Sequence, residues 1–142
     1  MAIETHDTVP FLVARVATLM NGWHADFKKL GLSVLSVRVM AVLGLNGSAS
    51  VGELVEATSI DQSTLSHILR RLARAGLVEK TRQDHDNRSV RITATPKGRP
   101  LARRCHDVAV DHDRRLTQGL SAAEVRALKR ALGLLYVNVT KA

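Results

Sequence analysis

One change of period constrains this chain more than any other feature. Between Asp61 and Ala75, the residues Leu65, Ile68, Leu69 and Leu72 recur at spacings of three and four. On a helix they fall in one stripe less than about 100° wide. At Gly76 the helical pattern stops. Leu77–Arg82 and Ser89–Thr95 follow, rich in Val, Ile and Thr, with the polar run Gln83-Asp84-His85-Asp86-Asn87-Arg88 between them. This predicts a two-stranded hairpin with a long charged tip. Upstream, Ser50-Val51-Gly52-Glu53 has the capping-box spacing and opens a short helix to about Ala57. Thr58-Ser59-Ile60 leaves only a tight turn before Asp61 caps the next helix. Two helices joined by a tight turn and followed by a two-stranded wing form a winged helix-turn-helix.

The flanks are helical. Thr8-Val9-Pro10 reads as a cap with proline in the first turn, and Leu12, Val16, Leu19, Trp23, Phe27 and Leu30 continue one apolar face. This predicts a single long helix ending at Gly31. Ser33 caps a second helix carrying Val37, Met40, Ala41 and Leu43, closed near Asn46-Gly47. Thr95-Pro96 repeats the cap-plus-proline signal and predicts a helix to about Leu116. Ser121-Ala122-Ala123-Glu124 is a second capping box, followed by Val125, Leu128, Leu132, Leu135 and Val139 on one face. The expected fold class is mainly α with a small β-hairpin wing, a winged helix-turn-helix with N- and C-terminal dimerisation helices. Residues 1–142 are read as a single chain, with 8–31 and 96–140 expected as dimerisation helices and 33–95 as the winged helix-turn-helix DNA-binding lobe. The outer helices are too apolar on one face to stand alone on so small a core, so a homodimer is expected. A length of 142 residues leaves no room for a two-domain enzyme.

Charge narrows the function. From Arg70 to Arg104 there are eleven basic residues against three acids, a net of +8 that equals the excess of the whole chain. Such a concentration is an electrostatic footprint for a polyanion. The four aromatics, Phe11, Trp23, Phe27 and Tyr136, all lie outside that stretch, which argues against stacking on unpaired bases. The stretch also lacks the bulky apolar anchors of a membrane-surface helix. Duplex DNA fits best.

With the leucine stripe facing the core, Ser63, His67, Arg70 and Arg74 face away, flanked by Ser66 on one side and Thr64 and Arg71 on the other. Small hydroxyls followed by His67 and arginines suit a helix that enters the major groove by its N-terminal end. Arg70 is the candidate reader of a guanine edge through N7 and O6, and Arg74 a phosphate grip. In the wing, Asp86 could orient Arg88 for a narrow minor groove, with Arg82 also among the expected DNA contacts.

Gly76-Leu77-Val78-Glu79-Lys80-Thr81-Arg82, Asp86-Asn87-Arg88 and Ala94-Thr95-Pro96-Lys97-Gly98 carry a family resemblance. With the helix order around them, the chain resembles the MarR family of winged-helix repressors over about residues 8–140. It has Lys80 where an arginine is common and Ala94 where leucine is common. The resemblance implies an obligate dimer whose terminal helices intertwine and a pseudo-palindromic double-stranded operator. It also implies a ligand-responsive repressor, with an aromatic carboxylate or its coenzyme A thioester as effector.

For that anionic aromatic effector the candidate residues are Trp23 and Phe27 as apolar walls, with His24 and Arg38 meeting the carboxylate. Arg38 lies between Val37 and Val39 in an apolar helix, where a salt bridge, for instance with Asp26, is an equal reading. Cys105, the single cysteine, follows Arg103-Arg104, a setting that could lower a thiol pKa and make the regulator redox-responsive, although a mid-helix cysteine is more often buried and inert. His106, Asp107, Asp111, His112 and Asp113 crowd one helix, but the two histidines lack metal-sharing spacing, so no metal is expected. No P-loop, nucleophile elbow or dinucleotide fingerprint occurs, so neither catalytic residues nor a cofactor are expected, and the chain is read as not an enzyme. The first fourteen residues hold no Lys or Arg, which argues against a secretory signal. No apolar run approaches the roughly 18 residues of a membrane span. A cytoplasmic protein is expected. An effector-independent architectural DNA-binding protein is the alternative from a different class.

Overall fold

Where Ser33, Ser50, Asp61 or Ser121 stands at a helix start, its side chain satisfies a first free amide. Thr8, read as the cap of the first helix, instead donates its Oγ1 to the Thr5 carbonyl and caps no amide. The computed structural model describes residues 4–82 and 90–142. Its elements are α1 (Val9–Met20), α2 (His24–Lys28), α3 (Val34–Asn46), β1 (Ser48–Ser50), α4 (Val51–Thr58), α5 (Gln62–Arg74), β2 (Val78–Arg82), β3 (Val90–Ala94), α6 (Arg99–Leu116) and α7 (Ala122–Lys141). Ser33 accepts from the Ser36 amide, and Ser50 and Ser121 each form a complete capping box, with Glu53 and Glu124. Asp61 accepts from the Thr64 amide at 2.9 Å. Each side chain occupies one of the donors a helix start leaves free.

The first expected helix is not continuous. A 3-10 turn at Asn21–Trp23 divides it into α1 and α2. Asn21 and Gly22 are poor helix formers, and together they tighten the chain without reversing it. The C-terminal long helix is regular from Arg99. Thr95 caps it as expected: its carbonyl accepts from the Arg99 amide at 2.9 Å, and the regular ladder is delayed because Pro100 has no amide to donate. Thr95 Oγ1 donates to the Gly76 carbonyl and accepts from the Gly98 amide, so this threonine ties two segments together.

The sheet has three strands, not the two expected. β3 lies in the centre, antiparallel to both neighbours, in the order β1-β3-β2. Val78 pairs with Ala94 and Arg82 with Val90, while Ser48 pairs with Thr93 and Ser50 with Arg91. β1 is three residues long and polar at both ends, too short to show a period of two. Only its pairing with β3, more than forty residues away, makes it a strand.

The core gathers Val37, Val39, Met40 and Leu43 of α3 with Leu54 of α4 and the full α5 stripe Leu65, Ile68, Leu69 and Leu72. Ala49, Ile60, Val78, Ile92, Ala94, Ala102 and Cys105 complete it. Between α4 and α5, Ser59 adopts the left-handed conformation with φ 55°. Thr58 Oγ1 donates to the Leu54 carbonyl and accepts from the Ile60 amide, bracing that turn. Ile60 is thereby tucked into the core.

Two compact units divide the chain, residues 1–109 and 110–142. In the first, α1 buries no residue, and Phe11, Leu12, Val16 and Leu19 stand exposed, Leu19 at 78%. In the second, α7 likewise buries none, and Leu128, Leu132, Leu135, Tyr136 and Val139 are exposed, Val139 at 77%. Asp113 holds Lys129 at 3.1 Å, and Asp111 meets Arg114 at 2.6 Å and Arg115 at 3.8 Å. Among the described residues no helix is long and apolar enough to cross a membrane.

Candidate nucleic-acid interface

The face of α5 opposite its leucines is polar and uncovered. Ser63, Ser66, His67, Arg70, Arg71 and Arg74 are all exposed, and Thr64 is half-buried. The sequence reading of this face therefore holds for orientation, while the hydroxyls turn inward. Thr64 Oγ1 donates to Asp61 Oδ2 at 2.6 Å, and Ser66 Oγ donates to the Gln62 carbonyl at 2.9 Å. The Thr64 hydroxyl and amide, helped by Ser63, hold the Asp61 carboxyl below the usual carboxylate range. These donors secure the first turn of α5, and the outward donors left are His67 and the three arginines. Arg70 Nη2 lies 3.0 Å from His67 Nδ1.

Two clefts flank α5. One, of about 570 Å³, is lined by Val51, Ser66, Leu69, Arg70, Ala73, Arg74 and Lys80. The other, of about 390 Å³, is bounded by the start of α3 at Ser33, Val34 and Leu35, and by Thr64, His67, Ile68 and Arg71. Cations thus occupy both flanks of the helix. Lys80 was not among the expected contacts. Strand parity places it with Arg82, which is also exposed, and that was the available signal. Asp86 and Arg88 lie outside the described residues.

Not every basic residue of the 70–104 stretch serves this ridge. Arg91 Nε donates to Ser48 Oγ at 3.0 Å, and its Nη2 to the Ser48 carbonyl at 3.1 Å and Glu53 Oε2 at 3.3 Å. Arg91 therefore fastens β1 and the start of α4 to β3. The Ser50 amide first, and Arg91 after it, lower the Glu53 pKa. Lys97 Nζ donates to the Ala75 carbonyl at 2.9 Å, capping the end of α5, where a cation is favoured. Arg99 and Arg103 lie on α6, beside Gly44 and Gly47.

The expected effector residues are only partly drawn together. His24 and Phe27 stack with ring centroids 5.9 Å apart, and Phe27 and Trp23 are half-buried. Arg38, expected in an apolar and costly setting, is exposed. At about 100° per residue it lies opposite the arc that buries Ser36, Val37, Val39, Met40 and Leu43. Asp26 reaches Lys29 at 3.7 Å.

Cys105 follows the reading of a buried, inert mid-helix cysteine and not the redox alternative. Its side chain is fully buried in the core, and burial pushes the thiol up to about 11 against a weaker opposing pull from Arg104. A protonated, enclosed thiol is a poor nucleophile. Titration of the folded protein with a disulfide reagent is expected to find no fast-reacting thiol until denaturant opens the core. Stoichiometric reaction within seconds under native conditions would contradict this placement.

A tight helix-turn-helix, a three-stranded wing sheet and a second helix lined with outward arginines define a winged-helix regulator. The sequence pattern of the MarR family matches residues 30–89. The chain is 31% identical over 133 residues to the HTH-type transcriptional repressor Rv2887 of Mycobacterium tuberculosis, covering 93% of this chain and 96% of that one. The structure of Rv2887 in complex with salicylic acid aligns with a TM-score of 0.66 at 28% identity, covering 94% of this chain and 99% of that chain. A MarR family regulator from Silicibacter pomeroyi aligns with a TM-score of 0.79 at 29% identity, covering 96% and 93%. The chain belongs to the MarR family of transcriptional regulators.

Proposed function

We propose that this chain is a repressor that binds a pseudo-palindromic double-stranded operator as a homodimer and releases it when an aromatic carboxylate binds. The observation that carries the reading is the exposed α5 face, where His67, Arg70, Arg71 and Arg74 project beside Lys80 and Arg82 with no aromatic among them. Arg70 reads a guanine edge, while Arg71, Arg74, Lys80 and Arg82 grip phosphates. The uncovered apolar rows of α1 and α7 are the surfaces a twin copy buries, so residues 8–31 and 96–140 serve dimerisation and 33–95 the DNA. In the wing, Arg88 and Asp86 are the residues to test for a minor-groove contact. The reading assigns no catalytic residue and places the protein in the cytoplasm with its operator.

The salicylic acid bound by Rv2887 supports an aromatic acid as effector, with Trp23, His24, Phe27 and Arg38 as the residues to test. The experiment measures binding of a labelled duplex from the intergenic region upstream of the gene, against random duplex. Preference for that duplex, loss of about 1–3 kcal/mol in Arg70→Ala, and release by salicylate are the expected results. Equal binding of random DNA would turn the reading into that of an architectural protein.

A further inference from the structure

The contact between Arg70 and His67 fixes more than a distance. A guanidinium is always protonated and has no acceptor, so in this pair Arg70 Nη2 donates and His67 Nδ1 accepts at 3.0 Å. The imidazole is then neutral, and its proton sits on Nε2, on the far side of the ring. We propose that His67 is a positioning residue for Arg70: it holds the guanidinium in a reading pose, and its protonation releases that pose and lowers base selectivity. The inference rests on the reading of α5 as the helix that enters the major groove.

The chemistry follows from the helix. His67 and Arg70 are three residues apart and share one exposed face. A free arginine must lose its rotamer freedom when it meets a base, whereas one already tethered loses less. Tethering through one Nη2 hydrogen leaves the Nη1 hydrogens and the second Nη2 hydrogen for the N7 and O6 acceptors of guanine. His67 Nε2–H supplies a further donor alongside.

Protonation removes the acceptor and adds a like charge. The groups beside the imidazole are Arg70 and Arg71 on its own helix, and Ser33, Val34 and Leu35 at the start of α3. The cavity it lines therefore offers one guanidinium, that of Arg71, and no carboxylate, while the Arg70 guanidinium meets the ring through the 3.0 Å contact. An imidazolium there pushes Arg70 away.

The test uses the full-length protein and a fluorescent duplex that it has selected from a random-sequence pool. Arg70→Ala first identifies the base pair at which discrimination is lost. At that base pair His67→Ala is expected to lose about 2- to 10-fold in discrimination, the value of one ordered arginine side chain. His67→Asn keeps an acceptor near the Nδ1 position and is expected to retain it. Lowering the pH from about 8 to about 5 is expected to erode discrimination in the wild type and to leave His67→Asn flat. Both residues are exposed, so unfolding midpoints are expected to match the wild type.

The positioning role is overturned if His67→Ala keeps full discrimination, weakens all duplexes equally, or matches His67→Asn. A wild-type pH profile parallel to that of His67→Asn overturns the switch. If Arg70→Ala loses discrimination at no base pair, the groove reading of α5 fails first and the proposal falls with it.

Discussion

Between about 50 mM and about 200 mM salt, affinity for the selected duplex is expected to fall on the order of 10,000-fold. The size follows from the phosphate grips. Arg71, Arg74, Lys80 and Arg82 are exposed on each copy, and a dimer brings about eight such contacts, each adding about 0.9 to the log–log slope. Arg91 and Lys97 contribute little to that slope, because protein oxygens already hold them. Arg74→Ala is therefore expected to flatten the slope of the dimer by about 1.8, and Lys97→Ala to leave it unchanged. Anisotropy titrations across a salt series check both. A shallow slope, or equal flattening by the two variants, would contradict the division between gripping and structural cations.

Gly98→Ala, just past the DNA-binding lobe, is expected to be a strongly destabilising small substitution. A Cβ at Gly98 would lie 2.0 Å from the Leu77 carbonyl oxygen, 2.8 Å from its carbon and 3.0 Å from its Cα. All three are backbone atoms, so no side chain can swing aside. The same carbonyl accepts from the Thr95 amide, and the Leu77 amide donates to Leu72 at the end of α5. Moving Leu77 therefore disturbs the joint between the arginine helix and the sheet. Overpacking of this kind costs about 1–3 kcal/mol and lowers the unfolding midpoint by several degrees. Gly22→Ala is the control, since nothing lies within 4 Å of its added Cβ. Thermal unfolding at one fixed protein concentration compares them. A Gly98→Ala midpoint equal to that of the wild type would refute the close approach.

What was legible in the sequence is local. The caps at Ser33, Ser50, Asp61 and Ser121 are satisfied within three residues, so residue type and spacing reveal them. The α5 stripe is equally plain, because four leucine and isoleucine side chains define one side of one helix. What escaped depends on distant partners. β1 exists because Ser48–Ser50 meets β3, and Arg91 is structural because Ser48 and Glu53 happen to face it. Thr95 is a cap, its Oγ1 accepting from the Gly98 amide three residues on, but its second bond, to the Gly76 carbonyl, has no local signal. Arg38 misleads for another reason: neighbours in sequence are about 100° apart on a helix, so two buried valines do not bury the arginine between them. The α5 hydroxyls show the same limit on the site itself. Their positions were evident, but their inward hydrogen bonds were not.

The claim beneath all of this is that two copies present their α5 arginines to successive turns of one duplex. Hydroxyl-radical footprinting on the selected duplex, with the mass of the complex measured in parallel, tests it most directly. The expected result is two protomers per duplex and protected backbone segments on one face, centred about one helical turn apart. A single protomer bound to the duplex, or protection spread evenly along it, would contradict the claim.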